Sequence, residues 1–494
     1  MKTTNVIERL CLFLFALVLA APAWAQGNEI SIGSKADWQA FCERVKNGET
    51  TLNVKLTQNI DLGTDTVMAG TEAQKYAGTF DGQGHMLSIN WDGGSTSHAA
   101  PFRYVSGATI KNLHTQGKIA QNGYALSGLV GWAYGTVTLF RCVSDVNITG
   151  GGNWGPSRSA GMVQHVAVGA SVTLTDCLVK GDISDNAAEG QRKIAGFVYE
   201  QDGTCALTRC LFTGNNNGGS NYDMEHSYTF APDNATLTDC YFQYRCGKGQ
   251  GEFADYGQLE SGEITHRLQG DRTEQVWGQT LGTDNIPQLT AKAAKRVYEV
   301  KFSYNDKVME KRYANSGQGI SGGMPSFYIP SLAGEGYNPH HYYTISFGGG
   351  FSASTPIDAN RTVEITLTEQ DCFTIATVDD WKKLCNIVGN DEQKAIDVKM
   401  TQDIDLGSEI VMLGTNHGYQ GTFDGQGYTL SFDWDAGSMI SIAPFKRVDE
   451  ATIKNLRTQG QITTNGSGLS GLVYTAAHST FSRCVSDVKL TGGQ

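Results

Sequence analysis

Apolar and polar residues alternate along this chain in short runs that recur at intervals of 30 to 35 residues. Val143-Ser144-Asp145-Val146-Asn147-Ile148 and Leu178-Val179-Lys180-Gly181-Asp182-Ile183 carry a period of two, which marks strands with one buried face. Each run follows a cysteine that closes a common pattern. The four examples are Thr138-Leu139-Phe140-Arg141-Cys142, Thr173-Leu174-Thr175-Asp176-Cys177, Ala206-Leu207-Thr208-Arg209-Cys210 and Thr236-Leu237-Thr238-Asp239-Cys240. Ahead of the later strands stand Ser127-Gly128-Leu129-Val130, Ala160-Gly161-Met162-Val163 and Ala195-Gly196-Phe197-Val198. Three short strands in roughly 33 residues, separated by Gly- and Asn-rich turns, fit one coil of a parallel β-helix. The variable segments 150–159 and 215–223 are expected as loops on one side of the coil, where binding residues are usually carried.

A helical period interrupts this pattern twice. Ser34-x-x-Asp37 opens a run with Trp38, Phe41, Cys42 and Val45 at i, i+3, i+4 and i+7, and Thr377-x-x-Asp380 opens another with Trp381, Leu384, Cys385 and Val388. The end of a strand stack must be covered to prevent edge-to-edge pairing. Each amphipathic helix is therefore expected to plug the N-terminal end of its own β-helix. The flanking sequence is duplicated too: residues 78–84 return as 421–427 and residues 108–113 as 451–456, an offset of 343. Arg141-Cys142-Val143-Ser144-Asp145-Val146 returns as Arg483-Cys484-Val485-Ser486-Asp487-Val488, at 342. Between the copies, 298–302, 342–347 and 362–367 read as three strands of a small β-sandwich-like spacer, immunoglobulin-like in character.

The expected organisation is thus all-β: a leader over 1–25, a first β-helix over 26–290, the spacer over 296–370 and a second, truncated β-helix over 372–494. The leader reading rests on Lys2 and Arg9 before the apolar run Leu10 to Ala20, with Ala23-Trp24-Ala25 as a cleavage site. That run is too short to span a membrane stably. The mature chain is expected to be secreted or held at the cell surface. Without Lys2, Glu8 and Arg9 the 38 basic and 50 acidic residues become 36 and 49, a net charge of -13. That balance excludes a phosphate-backbone binder. Ten of the eleven cysteines would survive cleavage. Cys142, Cys177, Cys210 and Cys240, one per coil, read as a buried ladder of compact apolar side chains, with Cys484 at the matching place in the second copy. Cys205 with Cys210, Cys240 with Cys246, and Cys372 with Cys385 are open to disulfide pairing.

Gly128-Leu129-Val130-Gly131, Gly161-Met162-Val163, Gly196-Phe197-Val198 and Gly471-Leu472-Val473, with the preceding Phe80-Asp81-Gly82-Gln83-Gly84-His85, resemble the GLUG repeat of bacterial secreted and surface proteins. The resemblance covers residues 30–290 and 372–494. It implies a right-handed parallel β-helix and a structural role for Gly128, Gly161, Gly196 and Gly471. Proteins of this kind include adhesins, surface proteins and accessory regions of peptidases, so the resemblance speaks for architecture more than for activity.

Catalytic constellations are missing from the sequence. Gly-His-Gly and Arg-Ile-Lys, which mark pectin-type hydrolases on this fold, do not occur, nor does His-Glu-x-x-His. Asp61 with Asp65 and Asp182 with Asp185 are the carboxylate pairs available for glycoside chemistry, although aspartate in turns is the commoner use. Among aromatics, Trp154 in a Gly-rich loop is the leading sugar-stacking candidate, with Tyr222 and Tyr228 behind it. The expected function is a non-enzymatic, cofactor-free adhesin, binding scaffold or rigid spacer. Its partners would be glycans or proteins of host or neighbouring cells. A β-helix polysaccharide lyase or glycoside hydrolase, and an accessory region of a larger surface peptidase or adhesin, are the alternatives.

Overall fold

The computed structural model describes residues 29–94, 96–122, 124–151, 155–218, 226–389 and 393–493, so the expected leader lies outside the described residues. The chain divides into two compact units. The first comprises Met1–Glu299, Tyr313–Ser321 and Pro356–Ala359; the second comprises Val300–Arg312, Gly322–Thr355 and Asn360–Gln494. The structure is nearly all-β, with 12% helix, and its stacked parallel sheets make a β-solenoid of about 15 turns. This is the parallel β-helix that the alternation predicts. Among the described residues no helix is long and apolar enough to cross a membrane.

In the first unit, successive coils stack identical positions on one another. Val54 pairs with Phe80, Phe80 with Ile110, Ile110 with Leu139, and Leu139 with Leu174, Leu207 and Leu237 in turn. Each coil therefore adds one inward-facing side chain to a continuous apolar column, and neighbouring coils complete one another's cores. The glycines of the Gly-Leu-Val segments follow from this stacking. A Cβ at Gly161 would collide with the carbonyl of Gly196, and one at Gly196 with that of Thr229. Gly128 sits in the same way under Gly161, and Gly471 of the second unit against the Ser486 hydroxyl. Close backbone approach excludes a side chain at Gly128, Gly161 and Gly196, whereas at Gly471 the obstacle is the Ser486 side chain.

The cysteine column lies beside the leucine column. Cys142, Cys177, Cys210 and Cys240 are buried, and each thiol donates to a core carbonyl one coil earlier: Ile110, Leu139, Leu174 and Leu207, at 3.4, 3.7, 3.7 and 3.5 Å. Cys484 is only partly buried and repeats the contact with Ile453 at 3.4 Å. All ten described cysteines are free thiols, so none of the open pairings is made. Burial raises Cys142 and Cys210 well above the ordinary thiol value and pushes Cys205 up to about 12. The thiolate is the reactive form. Because all four ladder thiols are buried, titration of the native protein with Ellman's reagent should label Cys372 and Cys484 first and leave the ladder silent until urea is added. Rapid labelling of more than half of the ten thiols in the native state would contradict this packing.

Both plugging helices form where the sequence places them. Lys35–Lys46 starts at Ser34, whose hydroxyl accepts from the Asp37 amide, and buries Trp38, Phe41, Cys42 and Val45. Val378–Gly389 starts at a reciprocal pair in which the Thr377 hydroxyl accepts from Asp380 N and the Asp380 carboxylate from Thr377 N, at 3.1 and 2.9 Å. It buries Trp381, Leu384 and Val388, while Cys385 stays partly exposed.

Two parts differ from the sequence reading. The β-helix expected over 26–290 stops short of that limit, because the chain leaves the coil after Glu252–Phe253. It forms two short helices, Tyr256–Ser261 and Glu263–Gln269, then a hairpin of Trp277–Gly278 with Gln288–Leu289. Leu259, Ile264, Leu268, Val276 and Trp277 share a small core with Leu178, Leu211 and Tyr241 of the coils. The region expected to be a three-stranded, sandwich-like spacer contains four strands, Val297–Tyr304, Lys307–Asn315, Tyr342–Phe347 and Arg361–Gln370, in one mixed sheet. The additional strand follows a tight turn in which Asn305 and Asp306 both adopt positive φ.

Candidate functional site

Four coils of the first unit contribute strands to one parallel sheet: Phe102–Ser106, then Val130–Tyr134, Val163–Val166 and Val198–Gln201, the last three each beginning on the valine of a Gly-Leu-Val-type element. Phe102, Val130, Val163 and Val198 form one buried column in register. Two residues further along, Tyr104, Trp132, His165 and Glu200 form a second column. Strand neighbours lie about 4.8 Å apart, so planar side chains in one column stack.

Trp132 is the centre of the resulting cluster. Its ring centroid is 4.1 Å from that of His165, 6.4 Å from Tyr104 and 6.0 Å from Tyr134, the last nearly parallel at 22°. His98 approaches edge-on at 5.5 Å, and the indole N–H donates to its Nδ1 at 2.8 Å. Tyr124 meets His98 edge-on at 5.5 Å and is 47% exposed, which carries the aromatic surface out to solvent. Cations lie at the margin: Lys75 Nζ over the Tyr134 ring at 4.6 Å and Arg103 over Tyr104 at 5.6 Å. Carboxylates lie on the other side, with Asp202 Oδ2 at 2.9 Å from His165 Nε2 and Glu200 Oε2 at 3.8 Å from Nδ1. Burial, with Arg103 and His165 nearby, holds His98 below its ordinary value, so it stays neutral and can accept from Trp132 at neutral pH. Burial also raises the Tyr134 phenol, helped by Tyr104 and Glu72. The arrangement is a half-exposed aromatic surface with hydrogen-bonding groups on its rim. It suits a ligand with flat apolar faces and hydroxyls at its edges.

The second unit provides an internal control. Phe102, Val105 and Ala133 return as Phe445, Val448 and Ala476 on the same paired strands; Phe445 and Val448 are buried and Ala476 is exposed. At the outward positions, Tyr104 returns as Arg447, Trp132 as Thr475 and Tyr134 as Ala477. The coil forms without the aromatic face, so the fold does not require it.

Of the sugar-stacking candidates named from sequence, Trp154 and Tyr222 lie outside the described residues. Tyr228 is half-buried; its ring partner is Tyr199 at 6.4 Å, and the structure does not bring it into the Trp132 cluster. The carboxylate pairs hold loops. Asp185 is buried and accepts from the amides of Ser157, Ala187 and Lys193, each at 2.9 Å. Asp182 accepts from Asn215 N, Asp61 from Gly63 N, and Asp65 pairs with Lys35 at 2.7 Å. Sequence reasoning missed Tyr104, Trp132, Tyr134, His98 and His165. The available signal was the divergence of Trp132 and Thr475 inside otherwise matching copies.

Fold and face together define a β-solenoid that carries a partly exposed aromatic surface. No family model and no curated protein matches the chain. A solved structure from Bacteroides ovatus, provisionally named an immunoglobulin A1 protease, is similar to it at 11% identity and a TM-score of 0.36, over 54% of this chain and 94% of that one.

Proposed function

We propose that this chain is an exported, surface-displayed repeat protein of the GLUG type whose first solenoid binds a glycan on the Trp132 face and catalyses no reaction. The observation that carries the reading is the column Tyr104–Trp132–His165 on consecutive coils of the first unit, whose Tyr104 and Trp132 positions are taken by Arg447 and Thr475 in the second. Side chains that the fold can dispense with, yet which form one continuous aromatic surface, favour a ligand as their reason. Sugar rings present apolar C–H faces to such surfaces and hydroxyls to a rim like that formed by Lys75, Glu200 and Asp202. Cooperation along successive sugar units would supply affinity that no single ring provides.

Retention of the mature chain in gels containing host or plant polysaccharides tests the reading. At least one glycan should retard the wild type. Trp132→Ala should weaken that binding about tenfold or more, the equivalent of about 1.4 kcal/mol. Thr475→Ala should bind as the wild type does. No retardation by any glycan, or equal retardation of Trp132→Ala, would sink the proposal. Sustained release of reducing or unsaturated ends would overturn its non-enzymatic part.

A further inference from the structure

We propose that His165 and Glu200, backed by Asp202, form a site for one divalent transition-metal cation at the acidic rim of the Trp132 face. Three observations support it. One ligand atom from each of the three residues lies within 4.8 Å of the other two. The His165 side chain is 8% exposed, and its Nδ1 is buried without a hydrogen-bond partner although it points towards Glu200. An unmet buried polar atom is costly, and such atoms commonly mark a missing water or ion. Finally, the spacing suits a cation. Zinc lies about 2.0–2.2 Å from imidazole nitrogen and carboxylate oxygen. The 3.8 Å between Nδ1 and Glu200 Oε2 is too long for a hydrogen bond and is the gap that one ion, bound to both, would span.

The remaining parts fit the same role. Asp202 accepts from Nε2–H at 2.9 Å, which leaves the Nδ1 lone pair free and fixes the ring orientation, as carboxylates do behind metal-bound histidines. Packing of Trp132 against the imidazole at 4.1 Å holds the ring still. The Glu200 side chain is 39% exposed, so it can close on an ion while Asp202 holds the histidine in place. Two protein ligands leave coordination positions for water or for ligand oxygens. One nitrogen with carboxylate oxygen selects zinc, manganese or cobalt over calcium. The site does not depend on the glycan reading, because it is defined by the free protein.

Isothermal titration of the mature, reduced chain with zinc chloride, repeated on His165→Ala and Glu200→Gln, tests the inference. The wild type should show one saturable site that both variants weaken at least tenfold. Asp202→Asn should weaken it less. Glu200→Gln alters an exposed group, so its metal-free melting curve should match the wild type even if His165→Ala perturbs folding. Cobalt provides a local readout. It should quench tryptophan fluorescence in the wild type, and Trp132→Phe should remove most of that quenching. Absence of saturable binding, or zinc binding unchanged in both Glu200→Gln and His165→Ala (as expected if the thiols alone take the metal), would overturn the site.

Discussion

Replacing Trp38 by alanine should cost the first unit about 3–5 kcal/mol, the range for removing a buried tryptophan. The indole is fully buried and sits inside the opening coils, with ring centroids 5.9 Å from Phe80 and 5.7 Å from Phe102, both edge-on. Phe41 lies 5.6 Å away on the same helix. The indole N–H donates to the Val67 carbonyl at 3.0 Å, so truncation leaves a cavity and also removes that carbonyl's partner. Trp381 repeats the arrangement in the second unit, at 6.1 Å from Phe423, 5.6 Å from Phe445 and 2.9 Å from the Val411 carbonyl. Two independent copies of one geometry identify the plug as a requirement of the coil. In a stack held by nearest-neighbour contacts the damage should be local first. Hydrogen exchange should speed up in Asn53–Leu56 and Thr79–Asp81 before Thr204–Thr208. Trp38→Phe should recover part of the loss, and Trp381→Ala should repeat the effect in the second unit. A loss below about 1 kcal/mol in urea denaturation would show that the helix is an ornament on the coil rather than its closure.

Such repetition is why the coil and its plug are legible in the sequence. A solenoid puts the same side-chain type at the same station of every turn, so the spacing of Leu139, Leu174 and Leu207 is enough to announce one column. What escapes a reading of the sequence is whatever depends on register or on a short element. Tyr104, Trp132 and His165 are about thirty residues apart and meet only because strand pairing aligns them. His165 in particular reads as a lone histidine in Gln164-His165-Val166. Tyr256–Ser261 and Glu263–Gln269 are six and seven residues long, too short for a helical period to declare itself. Their punctuation is nevertheless present, in the Asp255–Gln258 capping box and in Gly262 and Gly270 at the helix ends. Lys307–Asn315 hides its strand character because Lys307, Glu310, Lys311 and Arg312 break the apolar alternation. Asp176 reads as an ordinary turn residue before a cysteine, and its φ of 53° agrees with that reading.

Its surroundings give Asp176 a much larger role, and Asp176→Ala should also destabilise the first unit by about 3–5 kcal/mol, as expected when one partner of a buried ion pair is removed. The carboxylate is 1% exposed. It accepts from Arg209 Nε at 3.1 Å, from Arg272 Nη1 at 2.8 and 3.0 Å, and from the Trp277 indole at 2.9 Å. Those bonds tie the coil to the segment that follows the two short helices. Arg141 reinforces the tie through a two-pronged contact with Glu274 at 2.6 and 2.7 Å. Burial lowers Arg272 from its ordinary value, and Asp176 works in the opposite direction by favouring the charged guanidinium. Without the carboxylate, two partly buried guanidinium groups of like charge and a buried indole N–H lose their shared acceptor, and Ala at 176 must also hold a left-handed conformation that aspartate tolerates better. Asp176→Asn keeps the turn but loses the charge, so it should fall between the wild type and alanine. Limited proteolysis distinguishes the sites of damage, with cleavage expected within 270–291 while the coil strands stay protected. A double-mutant cycle with Arg272→Ala should give a coupling of at least about 1 kcal/mol. Additive losses would mean that the segment is held by its apolar core alone, through Leu259, Leu268 and Trp277, and that the ion pair is incidental.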